Sequence, residues 1–396
     1  MSNNDKERAI VRELARKVSE IAAEPRMSLI MKRWRDVNSL RKPDRAPVWC
    51  KPVGCWEEII PGGSFLCQTP WLRSMESNFR KIICKREIDD DSPVEKYFPM
   101  YASQRIEPAN VWGLDITHHQ SGESGGAWAY DPPLKSAEDY SLLKTPKFTY
   151  DKSATDMEYE RLSGILDGIM PVKVEFGLPL SATLGTFAAD LRGLEQMMMD
   201  MVAEPELMHR LMTHLRDAAL KAIENAESKV MISPNNYGPM LCSDPIGKPD
   251  DGKLSCANLW CMANSQEFDQ VSPQMREEFC LNYQKPIFKR FGQVCYGCCE
   301  NLTHKIDGVL SIPNLRIFTC SAWTDLSIVM DKVGRKHCIM WRQKASDVVF
   351  PNDTQNVKRA LFDGAKQLQG AYYQIVLREL ETLAGHQQGS RMKTRP

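Results

Sequence analysis

Apolar and polar positions change rhythm along this chain. The opening stretch, MSNNDKERAIVRELARKVSEIAAEP, sets Ile10, Leu14, Val18 and Ile21 along one stripe of a charged helix. Such a stripe predicts a helix lying on the fold or against a second copy. It lacks the apolar centre of a secretory signal. Up to about residue 150 the pattern breaks up. Turn-rich and charged stretches (NSLRKPDRAP, IPGGS, DDDSP) separate short apolar runs, of which APVWCKP (46–52) reads as a strand. QSGESGGAW reads as a flexible Gly/Ser loop, and YDPPLKSAEDYSLL as a Pro-fixed turn entering a short helix.

From Asp151 onward, apolar runs of strand length alternate with amphipathic runs of helix length. Strands are expected at VKVEFGLPL (172–180), VMISPNNYG (230–238), NLWCMANS (258–265), QVCYGCC, LRIFTCSAW, HCIMWRQK and YYQIVLREL. The last also reads as a helix ending at Gly385. Helices are expected at GLEQMMMDMV, PELMHRLMTHLRDAALKAIENAE, SPQMREEFCLNYQKPIFKRFG, TDLSIVMDKVG and TQNVKRALFDGAKQL. Strand–helix alternation implies parallel strands with crossover helices. The strand count approaches eight, and neither a Gly-rich phosphate fingerprint nor a P-loop is present. The fold expected is an α/β (β/α)8 TIM barrel over residues 46–396, with long loops over its mouth and a helical extension over 1–45.

Composition narrows the partners. The 396 residues carry no net formal charge, so neither nucleic acid nor an anionic membrane is expected as partner. No run approaches the roughly eighteen apolar residues of a membrane span. Thirteen cysteines in a chain read as cytoplasmic should be reduced, serving packing, metal binding or reactivity. Only Cys295, Cys298 and Cys299, in QVCYGCCENLTHKID (293–307), are dense enough to suggest a site. In a barrel, active residues lie at the C-terminal ends of strands. The strand assignments put Lys51, Asn235, Tyr237, Gln266, Cys298, Cys299, Glu300, Trp323, Arg342 and Lys344 there.

Several segments, in order, resemble the uroporphyrinogen decarboxylase superfamily from about Trp49 onward. APVWCKPVGCWEE is similar to its first strand and substrate loop. LRGLEQMMMDMVAEPELMHRLMTHL is similar to its helix with an acidic-Pro-Glu-Leu break, and SPQMREEFCLNYQKPIFKRFG to the helix before its mid-barrel strand. The decarboxylase branch holds a tetrapyrrole's acetates with arginines from an RQAGRY-type loop. Here that place reads CKPVGCWEE, without the guanidinium forks that carboxylates favour.

The other branch comprises zinc-dependent methyltransferases that exchange methyl groups with a corrinoid protein. Its His-x-Cys corresponds to YGCCE, with Cys298 matching the cysteine and Tyr296 standing where the histidine would be. The resemblance thus implies a methyltransferase acting on a small methylated compound, with Zn2+ held by Cys298, Cys299, Glu300 and Cys320. Glu300 and Cys299 are the candidate catalytic groups. Lys51, His118, His119, Tyr237, Trp323 and Arg342 are candidates for substrate binding. The branch's late cysteine has no clear counterpart; Tyr372, Tyr373 and Gln374 stand nearby. Methylcobalamin would ride on a separate corrinoid carrier protein, since no Asp-x-His-x-x-Gly pattern occurs here. A homodimer is compatible with the N-terminal stripe. Two other readings stay open: a metal-independent decarboxylase or lyase using Lys51, Arg342 and Lys344, and a non-catalytic barrel that binds a corrinoid or small molecule.

Overall fold

The computed structural model of the chain describes residues 3–120, 128–350 and 354–384. Its strands in chain order are β1 (Val48–Pro52), β2 (Phe98–Tyr101), β3 (Gln104–Glu107), β4 (Thr117–Gln120), β5 (Trp128–Asp131), β6 (Lys147–Tyr150), β7 (Val172–Glu175), β8 (Trp260–Ala263), β9 (Gln293–Tyr296), β10 (Leu315–Cys320), β11 (Cys338–Arg342) and β12 (Tyr372–Leu380). Six of them form one parallel sheet in the order β1-β12-β11-β10-β9-β8, curled like half a barrel. β2 and β7 pair in parallel as a separate ladder. β3 with β6, and β4 with β5, form antiparallel ribbons.

β11 is buried at all five positions and β10 at nearly all, the signature of parallel strands covered on both faces. Alternate side chains part to the two faces. One set, with Trp260, Cys295, Ile317, Cys338, Met340 and Val376, packs on itself and on Val37. The other, with Val294, Tyr296, Phe318, Cys320, Ile339 and Trp341, packs under the helices. The crossover between β8 and β9 is helical from Pro273 to Phe288 and contains a π turn at Glu277–Leu281. Helices Ile306–Leu310, Leu326–Lys332 and Thr354–Gln367 cover the next crossovers. β12 settles the ambiguity of YYQIVLREL in favour of a strand, because it seats between β1 and β11.

The N-terminal stripe is part of the body. Helix Asn3–Ala23 buries Val11, Ala15 and Val18 against Phe79, Leu162 and Ile165. Helix Pro25–Asn38 ends in a buried polar cluster. Asn38 Nδ2 donates to the carbonyls of Met240 and Cys242, 2.8 Å each, and Gln374 Nε2 donates to Asn38 Oδ1 at 2.6 Å.

Two expectations need correction. The region before residue 150 is more regular than its pattern suggests, with a 19-residue helix at Pro70–Ile88 followed by β2. Stretch 230–238 is not a strand. It runs beside β7 and β8 and borrows their hydrogen bonds instead. Ser233 N–H donates to Phe176 O (3.0 Å), and the Asn235 side chain exchanges two bonds with the Trp260 backbone. The QSGESGGAW loop lies outside the described residues except at its two ends, Gln120 and Trp128. Among the described residues no helix is long and apolar enough to cross a membrane.

Candidate functional site

β9 ends at Tyr296, and Gly297 turns the chain. Its φ is +111°, in the region that favours glycine, and an added Cβ would lie 3.0 Å from the Thr319 side chain. Cys298 and Cys299 follow at the C-terminal end of the strand, half-buried and exposed respectively, with their Sγ atoms 3.5 Å apart. The next residue anchors the turn. Glu300 is 2 % exposed, and its carboxylate accepts the Cys298 N–H (2.8 Å) and the Ser265 N–H (2.9 Å). Its carbonyl accepts the Ser321 hydroxyl at 2.7 Å. Burial pushes the Glu300 carboxyl up, and the backbone N–H groups pull it the other way. Arg276 stands behind, donating from Nε to Ser265 Oγ (2.8 Å) with its guanidinium 5.3 Å from the Tyr296 ring.

The thiols open into a cavity of about 200 Å³ that Trp323, Arg342 and Lys344 also line. Arg342 reaches it because residues 338, 340 and 342 of β11 share the inner face, and 342 is the last of them. Its Nη2 lies 3.9 Å from Cys299 Sγ. A neighbouring guanidinium favours thiolate over thiol. Lys344 Nζ sits 5.2 Å over the Trp323 ring.

A second cavity, about 280 Å³, lies where β7 and β8 face the 233–237 segment. Glu175, the last residue of β7, is 1 % exposed. It accepts the Tyr237 hydroxyl and pairs with Lys173 Nζ at 3.1 Å. The Tyr101 and Tyr237 hydroxyls are 3.5 Å apart. Burial and the Glu175 carboxylate both hold the Tyr237 phenol well above its ordinary pKa, so it stays protonated.

The chain matches no family model, and no curated protein is significantly similar to it.

The structure brings Cys298, Cys299, Trp323, Arg342 and Lys344 to one cavity and does not bring the other candidates there. Cys320 is turned the wrong way for a metal ligand there. Thr319 takes the inner face, with its hydroxyl 3.8 Å from Met340 Sδ. Cys320 therefore points under the helices, donating to the carbonyls of Thr324 (3.6 Å) and Ser321 (3.8 Å). Burial pushes its thiol up to about 12, which keeps it protonated. Glu300 holds the loop from beneath and does not line the cavity. Tyr296 also faces outward, donating to Gln284 Oε1 at 3.0 Å. Among the described residues no three His, Cys, Asp or Glu side chains gather to hold a metal ion, so the four-ligand set expected from the sequence is not assembled. Tyr237 belongs to the second cavity. Lys51 lies 5.8 Å over the Trp49 ring at the end of β1. His119 is exposed on the β4–β5 ribbon, and the His118 side chain lies outside the described residues.

Glu175 and Tyr101 are the functional candidates that the sequence pattern did not single out. The signal was present: VKVE is an apolar alternation that ends on an acid at the C-terminal end of a strand.

Proposed function

We propose that this chain is a methyltransferase. It moves a methyl group between a small methylated compound and a corrinoid on a separate carrier protein, with Cys298 and Cys299 at the reacting end of its cavity. The observation that carries the reading is the pair of thiols 3.5 Å apart at the C-terminal end of a parallel strand, with a guanidinium 3.9 Å from one of them. Methyl transfer is a displacement at one carbon and favours a soft, polarisable group held close to it. Glu300 is a positioning residue in this scheme: its two backbone bonds hold the Cys298–Cys299 turn against the Ser265 loop. Arg342 Nη2 donates toward Cys299 Sγ at 3.9 Å, and Trp323 walls the cavity.

Paired thiols are the donor type that zinc takes, so Cys298 and Cys299 would supply two of the ligands of a bound Zn2+, without Cys320 or Glu300, and no third His, Cys, Asp or Glu joins them among the described residues. When bound, the metal would lower the pKa of a coordinated thiol and polarise the atom that carries the methyl group. A closed (β/α)8 barrel is the architecture we propose around this site. In its support, eight strands run in parallel ladders. The 233–235 segment spans from β7 to β8 through side-chain and backbone hydrogen bonds. Asp91 N–H donates to Val48 O on the free side of β1. All thirteen cysteines are free, which supports a reducing compartment such as the cytoplasm.

The test combines chemically reduced cob(I)alamin with the protein and a panel of methyl thioethers, methyl ethers and methylamines. Methylcobalamin should form, followed by its absorbance, and the protein should retain about one zinc per chain. Cys298→Ser and Cys299→Ser should each slow the reaction by about a hundredfold or more, equivalent to about 3 kcal/mol of transition-state stabilisation. Absence of methylcobalamin across the panel with folded, zinc-loaded protein would overturn the reading.

A further inference from the structure

We infer that Cys298 and Cys299 are a site of reversible oxidative modification, closed by a hydroperoxide into a disulfide between neighbouring residues. The closed form takes both thiols out of the cavity. This goes beyond methyl transfer and holds whatever chemistry the reduced thiols perform.

The chain has thirteen cysteines, and none is in a disulfide. Nine are buried, Cys50, Cys84 and Cys298 are half-buried, and Cys299 is exposed. Burial pushes the Cys50 thiol up to about 11 and raises that of Cys84 as well, which keeps both protonated and slow toward peroxide. A peroxide arriving from solvent therefore meets Cys299 first. The Cys298 sulfur stands 3.5 Å from it. An exposed thiol with a second one beside it is the arrangement that carries a sulfenic acid on to a disulfide.

The step balances in two parts. The Cys299 sulfur attacks one peroxide oxygen, so that an S–O bond forms and the O–O bond breaks; the hydroxide that leaves takes up the thiol proton as water. The Cys298 sulfur then attacks the sulfenic sulfur. An S–S bond forms, the S–O bond breaks, and the second water departs with the Cys298 proton. The two sulfurs lose two electrons and two hydrogens, and the peroxide is reduced.

An S–S bond is about 2.0 Å long, so rotation of the two side chains has little distance to close. Gly297, with its φ of +111°, stands directly before the pair, and the Glu300 carboxylate holds the Cys298 N–H at 2.8 Å. The change is thereby confined to one turn. Neighbouring Cα atoms are about 3.8 Å apart across a trans peptide. Ordinary disulfides span about 4.4–6.8 Å, so the bond closed here is strained and easily reduced. Such a bond suits a modification that a cellular dithiol reverses, and does not suit a permanent cross-link.

The experiment treats the full chain, stripped with a chelator and freshly reduced, with about one equivalent of hydrogen peroxide per chain. Intact mass spectrometry should show the loss of two hydrogens, and dithiothreitol should restore them. The tryptic peptide 291–305, FGQVCYGCCENLTHK, also holds Cys295; cleavage after Tyr296 separates it and should leave the loss on the piece with Cys298 and Cys299. Cys298→Ser and Cys299→Ser should each abolish the loss, and Cys298→Ser should gain oxygen at Cys299 in its place. The map of the natural chain decides the matter even if a variant fails to fold. Oxygen added to Cys299 of the natural chain with no S–S bond, a disulfide to another cysteine or between two chains, or no reaction would overturn the inference. A reversible Cys298–Cys299 disulfide in a chain that never forms methylcobalamin leaves this inference standing and removes methyl transfer. Methylcobalamin formation by a chain whose thiols do not join does the reverse.

Discussion

Gly297 fixes where the thiols stand. Its φ of +111° is open to glycine and strained for other residues, and the space beyond its Cα is closed by Thr319 and Leu302. Gly297→Ala adds both backbone strain and a contact at 3.0 Å from Thr319. It should cost about 1–3 kcal/mol, read as a lowered denaturation midpoint. On the proposed function it should also slow the proposed methyl transfer, because the turn that pairs Cys298 with Cys299 moves. The pairing of the two thiols was half legible in the sequence. GCCE shows two thiols and an acid together, but adjacent residues of a strand point apart, and only a turn starting at Gly297 lets both sulfurs approach. The role of Glu300 was not legible. An acid beside cysteines reads as a ligand until the backbone N–H groups of Cys298 and Ser265 appear as its partners.

At the scale of elements, the Pro273–Phe288 crossover carries the support behind the site. It contains Pro286, which has no N–H to donate, and a π turn one position wider than the α-helix. From its inner face Arg276 bonds Ser265. Gln284 donates to the carbonyls of Ala182 (2.8 Å) and Asn264 (2.9 Å) and accepts from Tyr296. Gln284 is fully buried, so Gln284→Ala leaves three polar atoms without that partner and should cost about 2–4 kcal/mol in urea unfolding. Gln284→Glu would be no milder, since it places a charge in the same buried spot. The helix was readable from its Ser272 cap, Pro273 and apolar period; Ser272 Oγ does accept the Met275 N–H at 3.1 Å. Its π turn was not readable, because the sequence periods of an α-helix and of a helix with one inserted residue differ by a single step. The 230–238 segment fails as a strand for a similar reason. Its apolar start resembles a strand, but Pro234 lacks the N–H a ladder needs, and Asn235 supplies its bonds from a side chain.

For the molecule as a whole, the first helix and the last strand are both built into the body. β12 inserts between β1 and β11, so the sheet is complete only when the far end of the chain has arrived. Such long-range pairing is expected to fold slowly. Helix Asn3–Ala23 covers Phe79, Leu162 and Ile165, all at 5 % exposure or less. A chain lacking residues 1–23 should therefore bind a hydrophobic dye and melt at lower temperature. Each fully buried valine withdrawn, Val11 among them, is worth about 1.5–3 kcal/mol. Unchanged melting and no dye binding would show that the helix is dispensable.

Period and length in the sequence determined the strand–helix alternation after Asp151, the parallel class and the end of the strands where chemistry should lie, because burial on one or both faces writes itself into the spacing of apolar residues. Which cysteine faces the cavity was a tertiary decision. Thr319 and Cys320 are one residue apart, and the register of β10 against β9 and β11 sends one inward and the other under the helices. The same register brings Arg342 to the thiols from 43 positions away. Spacing along a chain records which face is buried; it does not record which distant side chain will share the space.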